Sequence, residues 1–89
     1  MSSTQQAIVE ECNWISEMLC EKNRKYGDSA LDPVRVFSRC DTLEQINVRL
    51  DDKLSRLRSG QGDDTEDSEL DLIGYLILKR IAKRRLLAV

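Results

Sequence analysis

The chain has 89 residues, 14 of them Lys or Arg and 16 Asp or Glu, for a formal net charge of -2. That length bounds it to one domain, residues 1–89, with a core small enough that a partner subunit is a natural way to complete it. The charge balance excludes a strongly basic nucleic-acid coat, and the absence of His removes the commonest neutral-pH acid–base catalyst and the usual nitrogen ligand of zinc.

Residues 4–24 read as the first helix, with Ser3 or Thr4 as its cap. Ile8, Cys12, Ile15 and Leu19 recur at helical spacing and are expected to face the core. Glu10, Glu17 and Glu21 lie close to one helical direction, beside Trp14. Glu17 and Glu21 are one turn apart, near enough to share a cation, and like charges at that spacing repel unless something neutralises them. An ordinary solvated acidic face is the plainer account of the same pattern. The opening residues, 1–6, lack the basic and apolar regions of a signal peptide, and no apolar run reaches the roughly 18 residues of a membrane span. The cysteines, Cys12, Cys20 and Cys40, are odd in number and form no CxxC pair, which argues for reduced thiols in a cytoplasmic protein.

Residues 22–41 are the least regular. Gly27 is placed to end the first helix in a left-handed cap. Asp32-Pro33 starts a new element, a short helix or turn, with Val34, Val36 and Phe37 expected to anchor it over the bundle. Arg35 and Arg39, four apart, form a candidate phosphate-facing pair, with salt bridging to acidic helices as the alternative. Tyr26 is either a base-stacking ring or a hydrophobic plug.

Asp41-Thr42-Leu43-Glu44 has capping-box spacing and opens a helix to about Arg58. Leu43, Ile46, Leu50 and Leu57 form its expected core stripe, with Leu54 at the margin. Arg49, Lys53 and Arg56 form a basic stripe on another face, suited to phosphates or to carboxylates of the other helices. Ser59-Gly60-Gln61-Gly62 then breaks the chain and joins antiparallel helices. It lacks the residues of a phosphate-cradling loop.

The last helix offers Asp63, Asp64 and Thr65 as alternative caps, with acidic residues favoured by the positive end of the helix dipole. Ile73, Leu76, Ile77 and Ile81 mark its core stripe, which Glu66 and Glu69 extend toward the N-terminus. Asp67 and Asp71 form a one-turn pair at the stripe's edge. Carboxylates drawn against a core must be hydrogen-bonded, paired or metal-bound. Gly74 costs roughly 1 kcal/mol of helix propensity, which close helix packing or closeness to a ligand would explain. The tail carries five bases from Lys79 to Arg85, without the aromatic interleaving that would favour direct DNA or RNA binding. The expected fold is therefore all-α, an antiparallel three-helix unit with a short extra helix or turn, completing a bundle by oligomerisation.

Two blocks resemble one family. The first is Glu21-Lys22-Asn23-Arg24-Lys25-Tyr26-Gly27-Asp28. The second runs from Arg49 to Leu57 and resumes with Glu66, Asp67 and Asp71-Leu72-Ile73-Gly74-Tyr75. Together they look like a small phage and prophage domain associated with nucleotide modification. That domain is distantly similar to the all-helical nucleoside-triphosphate pyrophosphatases of the MazG and dUTPase type. The resemblance covers most of residues 17–78 and implies a nucleotide partner, a homo-oligomer (dimer or tetramer) and residence in the host bacterial cytoplasm. It also implies Mg2+ held by Glu17, Glu21, Glu66, Asp67 and Asp71, with Glu21 and Asp71 as catalytic carboxylates. Arg49, Lys53 and Arg56 would hold phosphates; Tyr26 and Arg35 join the candidate nucleotide site on their own chemistry, as a stacking ring and a phosphate-facing arginine. The chain departs from the enzymes in two places: Glu17 and Glu21 are four apart rather than three, and Ser68 stands three before Asp71. Three functions follow as alternatives: a Mg2+-dependent pyrophosphohydrolase, a non-catalytic oligomer that sequesters linear or cyclic nucleotide immune signals, and a helical protein-interaction module.

Overall fold

The computed structural model describes residues 2–60 and 67–88. Those residues form three helices and no strand: α1 (Ser3–Tyr26), α2 (Thr42–Ser59) and α3 (Ser68–Leu87).

Each helix begins on a side chain that satisfies an otherwise unpaired backbone N–H. Ser2 caps α1, one residue ahead of the expected Ser3 or Thr4. Its hydroxyl accepts from the Gln5 N–H at 3.1 Å, and the Gln5 side chain accepts from the Ser2 N–H at 3.0 Å. Ser2 and Ser3 each have a Gln three residues later, so the sequence offers two similar caps and the chain uses the first. Asp41 caps α2, accepting from the Glu44 N–H at 2.8 Å, as its spacing predicts. For α3, the expected caps Asp63, Asp64 and Thr65 lie outside the described residues. The helix starts at Ser68, and Asp67 is its cap, accepting from the Leu70 N–H at 2.9 Å. The run of acidic residues leaves the helix start ambiguous in sequence, and Asp67, which was not among the expected caps, takes the role.

The glycines end two helices differently. Gly60 (φ 66°, ψ 15°) is a left-handed cap whose N–H donates to the Arg56 carbonyl. Gly27 has φ 65° with ψ -168°, an extended positive-φ conformation open essentially to glycine alone, rather than the left-handed cap expected there. A turn follows, closed by the Asp32 N–H on the Asp28 carbonyl at 2.7 Å. No helix forms between Pro33 and the start of α2. Val34 and Val36 are therefore not gathered onto the bundle as expected, and Phe37 is 97% exposed.

The α2–α3 pair carries the core. Ile46, Leu50 and Ala82 are buried together, with Leu31, Leu43, Leu72 and Tyr75 packed around them. Lys53, late in α2, meets Asp71, early in α3, so the pair is antiparallel. α1 joins this hairpin by its second half. Ile15 is buried and Met18 and Leu19 are half-buried, while every described residue before Ile15 is exposed. At the crossing, a Cβ added to Gly74 would lie 3.3 Å from Leu19 Cδ1, so the bare glycine lets α1 approach α3.

Several expected core positions stay outside. Ile8 is 57% exposed, and Cys12, Leu57, Leu76 and Ile77 are exposed as well. Periodicity identifies the apolar face of each helix but not how far along that face a neighbour extends. The three cysteines are exposed free thiols. Among the described residues, no helix is long and apolar enough to cross a membrane.

Candidate functional site

Asp71 is the point at which all three helices meet. It stands in the first turn of α3. Lys22, from the last part of α1, reaches its Oδ1 at 3.1 Å, and Lys53, from α2, reaches its Oδ2 at 3.2 Å. The Asp71 and Lys53 side chains are 19% and 14% exposed, against 49% for Lys22. Burial pushes the Asp71 carboxyl toward a higher pKa, but hydrogen bonds and charge from Lys22 and Lys53 outweigh it. The net displacement is downward from the ordinary value of 3.8. The carboxylate is thus held ionised by two ammonium groups, which it orients in turn.

A cleft of about 250 Å³ opens beside this cluster between α1 and α3. Lys22, Asn23 and Tyr26 form one wall and Leu70, Asp71, Gly74 and Tyr75 the other, with Gly27, Ser29 and Ala30 also lining it. Helical spacing explains the α1 wall, because 22, 23 and 26 fall on one side of its last turn. Gly74 supplies room where any side chain would narrow the gap. Asn23 is fixed by donating its amide to Asp28 Oδ1 at 3.1 Å. The exposed Tyr26 ring has Lys25 Nζ at 5.3 Å from its centroid, a cation over an aromatic face. Tyr75 belongs partly to the core, against which it packs. The cleft therefore offers one cationic donor, Lys22, at one end and aromatic surface along its walls, with Lys53 reaching Asp71 from outside the lining. In the same first turn of α3, the buried Ser68 hydroxyl has no hydrogen-bond partner among the described residues.

The other residues singled out in the sequence are dispersed. Arg35 and Arg39 line a second, separate cleft with Arg85, where Arg35 Nη2 donates to Thr42 Oγ1 at 3.1 Å. Arg49 and Arg56 are exposed on α2 and line neither cleft. Of the basic stripe, Lys53 is the member drawn to Asp71. Glu17 is exposed and away from the cleft lining. Glu21 is bound by Arg24 through both its oxygens. Glu66 lies outside the described residues.

Magnesium fits this arrangement poorly. Both Asp71 oxygens meet ammonium groups, Glu21 is taken by Arg24, and an Asp67 oxygen serves the helix cap. Among the described residues, no three His, Cys, Asp or Glu side chains are grouped so as to hold a metal ion. The chemistry available at the cluster is that of an anion receptor: Lys22 spends one of its three N–H donors on Asp71 and keeps the others for a second acceptor.

Sequence reasoning marked Lys53, Asp71 and Tyr26 but gave Lys22, Asn23 and Tyr75 no role. The available signal was Gly74, whose cost inside a helix pointed to a close approach. Knowing that α1 is the approaching element, and at which turn, would have placed Lys22 beside Asp71. Comparisons with protein-family models, with curated proteins and with solved structures found no match.

Proposed function

We propose that this chain is a phage-type nucleotide-binding protein of the bacterial cytoplasm, and that the ligand sits in the α1–α3 cleft. One observation carries the reading. The two sequence blocks that resemble the phage domain, almost fifty residues apart, supply opposite walls of a single cleft. Lys22, Asn23 and Tyr26 come from one block, and Asp71, Gly74 and Tyr75 from the other. In this reading Lys22, with Lys53 behind it, meets the phosphates as mobile point charges. The exposed Tyr26 face stacks on the base, an interaction that tolerates any base. Asp71 keeps the two ammonium groups close together when no ligand is bound.

Binding without turnover is favoured over Mg2+-dependent pyrophosphohydrolysis, because Asp71, Glu21 and Asp67 are engaged with lysines, an arginine and a helix cap and, among the described residues, are not grouped with Glu17 as a metal-holding set. No hydrolytic step is assigned to them. Calorimetry with linear and cyclic nucleotides tests the proposal, with chromatography of the same mixtures after incubation with Mg2+. Binding at micromolar affinity with intact nucleotide is expected. Lys22→Ala and Tyr26→Ala should each weaken it roughly 10-fold or more, the loss of about 1.5 kcal/mol or more of charged hydrogen bonding or stacking. No heat with any nucleotide would remove the proposal, and released pyrophosphate or monophosphate would restore the enzyme reading.

A further inference from the structure

The surface of the chain is too large for its mass. A folded monomer of 10.2 kDa is expected to expose roughly 5,300 Å², whereas this chain exposes 7255 Å². The difference, about 1,900 Å², exceeds the roughly 800 Å² that each partner commits to a standard stable interface. The radius of gyration agrees: it is 14.9 Å, against about 12 Å for a compact domain of this length.

Part of that exposure is the irregular segment carrying Val34, Val36 and Phe37; two further apolar surfaces lie on the helices. The first is the N-terminal half of α1, where Ile8, Val9, Cys12 and Trp14 are exposed. A helical segment of that length is marginal in water without a packed face. The second is the outer side of α3, where Leu76 and Ile77 are exposed, and Arg80 and Lys83 continue the same side one and two turns on.

The charges of these surfaces are opposite. From Ser3 to Glu21, α1 carries Glu10, Glu11, Glu17 and Glu21 and no base. From Lys79 to Arg85, α3 carries five bases and no acid. Among the described residues, Glu10, Glu11 and Glu17 make no ion pair, and neither do the five bases. Within one chain the two surfaces do not neutralise each other.

We infer that a second copy of this chain covers both surfaces. The N-terminal half of α1 from each protomer lies on the outer side of its partner's α3, and the exchange is reciprocal. Two-fold symmetry makes such an interface self-complementary, so each copy contributes one acidic and one basic apolar surface. The arrangement is independent of what the cleft binds.

Sedimentation of the full chain tests it. The wild type should sediment at no less than twice the 10.2 kDa chain mass at micromolar concentration. The Glu10→Lys/Glu11→Lys variant and the Arg80→Glu/Lys83→Glu variant should each sediment as monomers, with helical circular dichroism retained. Mixing the two variants should restore the dimer, because each mutated surface then meets an opposite charge. A chain carrying all four substitutions should also dimerise. A monomeric wild type overturns the inference. So does a dimer indifferent to both charge reversals, or a pair of monomeric variants that mixing does not reunite, since either outcome assigns the contact to other faces.

Discussion

Replacing Asp71 by asparagine removes one charge while keeping nearly the same shape, and it tests whether the three-helix junction is electrostatic. The two ion pairs differ in environment. Lys22 is half exposed, so its pair is screened and worth at most about 1 kcal/mol. Lys53 and Asp71 are both largely shielded, and a charged hydrogen bond there is worth about 1.5–3 kcal/mol. The amide oxygen of the substituted side chain can still accept from a lysine, so the net loss should be about 2 kcal/mol. That is a large part of the roughly 4–13 kcal/mol expected for a chain of this length, and it corresponds to a melting-temperature drop of about 8 °C or more. The pH dependence has a definite sign. The Asp71 pKa is lowered in the folded state, so its contribution is fully present above the unfolded value of about 3.8. It is lost as pH falls through the lower folded value. Urea unfolding of wild type and Asp71→Asn should therefore differ most near neutrality and converge in acid. Double-mutant cycles with Lys22→Met and Lys53→Met should give the larger coupling for Lys53. A difference below about 0.5 kcal/mol at neutral pH, or one that widens in acid, would refute the electrostatic account.

Two further substitutions test the packing and the helix start. Gly74→Ala gains roughly 1 kcal/mol of helix propensity but sets a Cβ 3.3 Å from Leu19 Cδ1. Because a side-chain methyl can shift, its net effect on urea stability should be under about 1 kcal/mol in either direction. Gly74→Val adds bulk that cannot be absorbed and should cost about 1–3 kcal/mol; equal tolerance of Val and Ala would show that α1 does not press on this turn. Asp67→Ala removes the cap of α3 and should cost about 1 kcal/mol by thermal unfolding. No loss would move the helix start back toward the acidic residues upstream.

The parts of this fold that were legible in sequence are those fixed by short-range rules. The start of α2 follows from Asp41 three residues before Glu44, and its end from Gly60. Ile15, Ile46 and Leu50 are buried where their spacing put them. Other features depend on which elements meet, and spacing does not contain that. Ile8 and Cys12 continue the stripe of Ile15 but run beyond the hairpin, so they remain exposed. Val34, Val36 and Phe37 have the composition of an anchor but no helix to align them. The site divides the same way. Lys53 and Asp71 were marked as one member each of a basic and an acidic set, and the antiparallel α2–α3 hairpin joins them. Glu17 and Glu21 share a helical direction, but the crossing at Gly74 turns Lys22 and Tyr26 toward the cleft, not these two. Lys22 could be placed only once that crossing was known.

The central claim is that a nucleotide enters the α1–α3 cleft. Titrating ATP into the isotopically labelled chain and following its amide resonances tests this most directly. The account predicts saturable shifts concentrated at Lys22, Asn23, Tyr26, Gly74 and Tyr75, with saturation moved to roughly 10-fold higher ATP or beyond by Lys22→Ala. Shifts confined to the separate cleft of Arg35, Arg39 and Arg85, or no shifts with ATP or any other nucleotide, would contradict it.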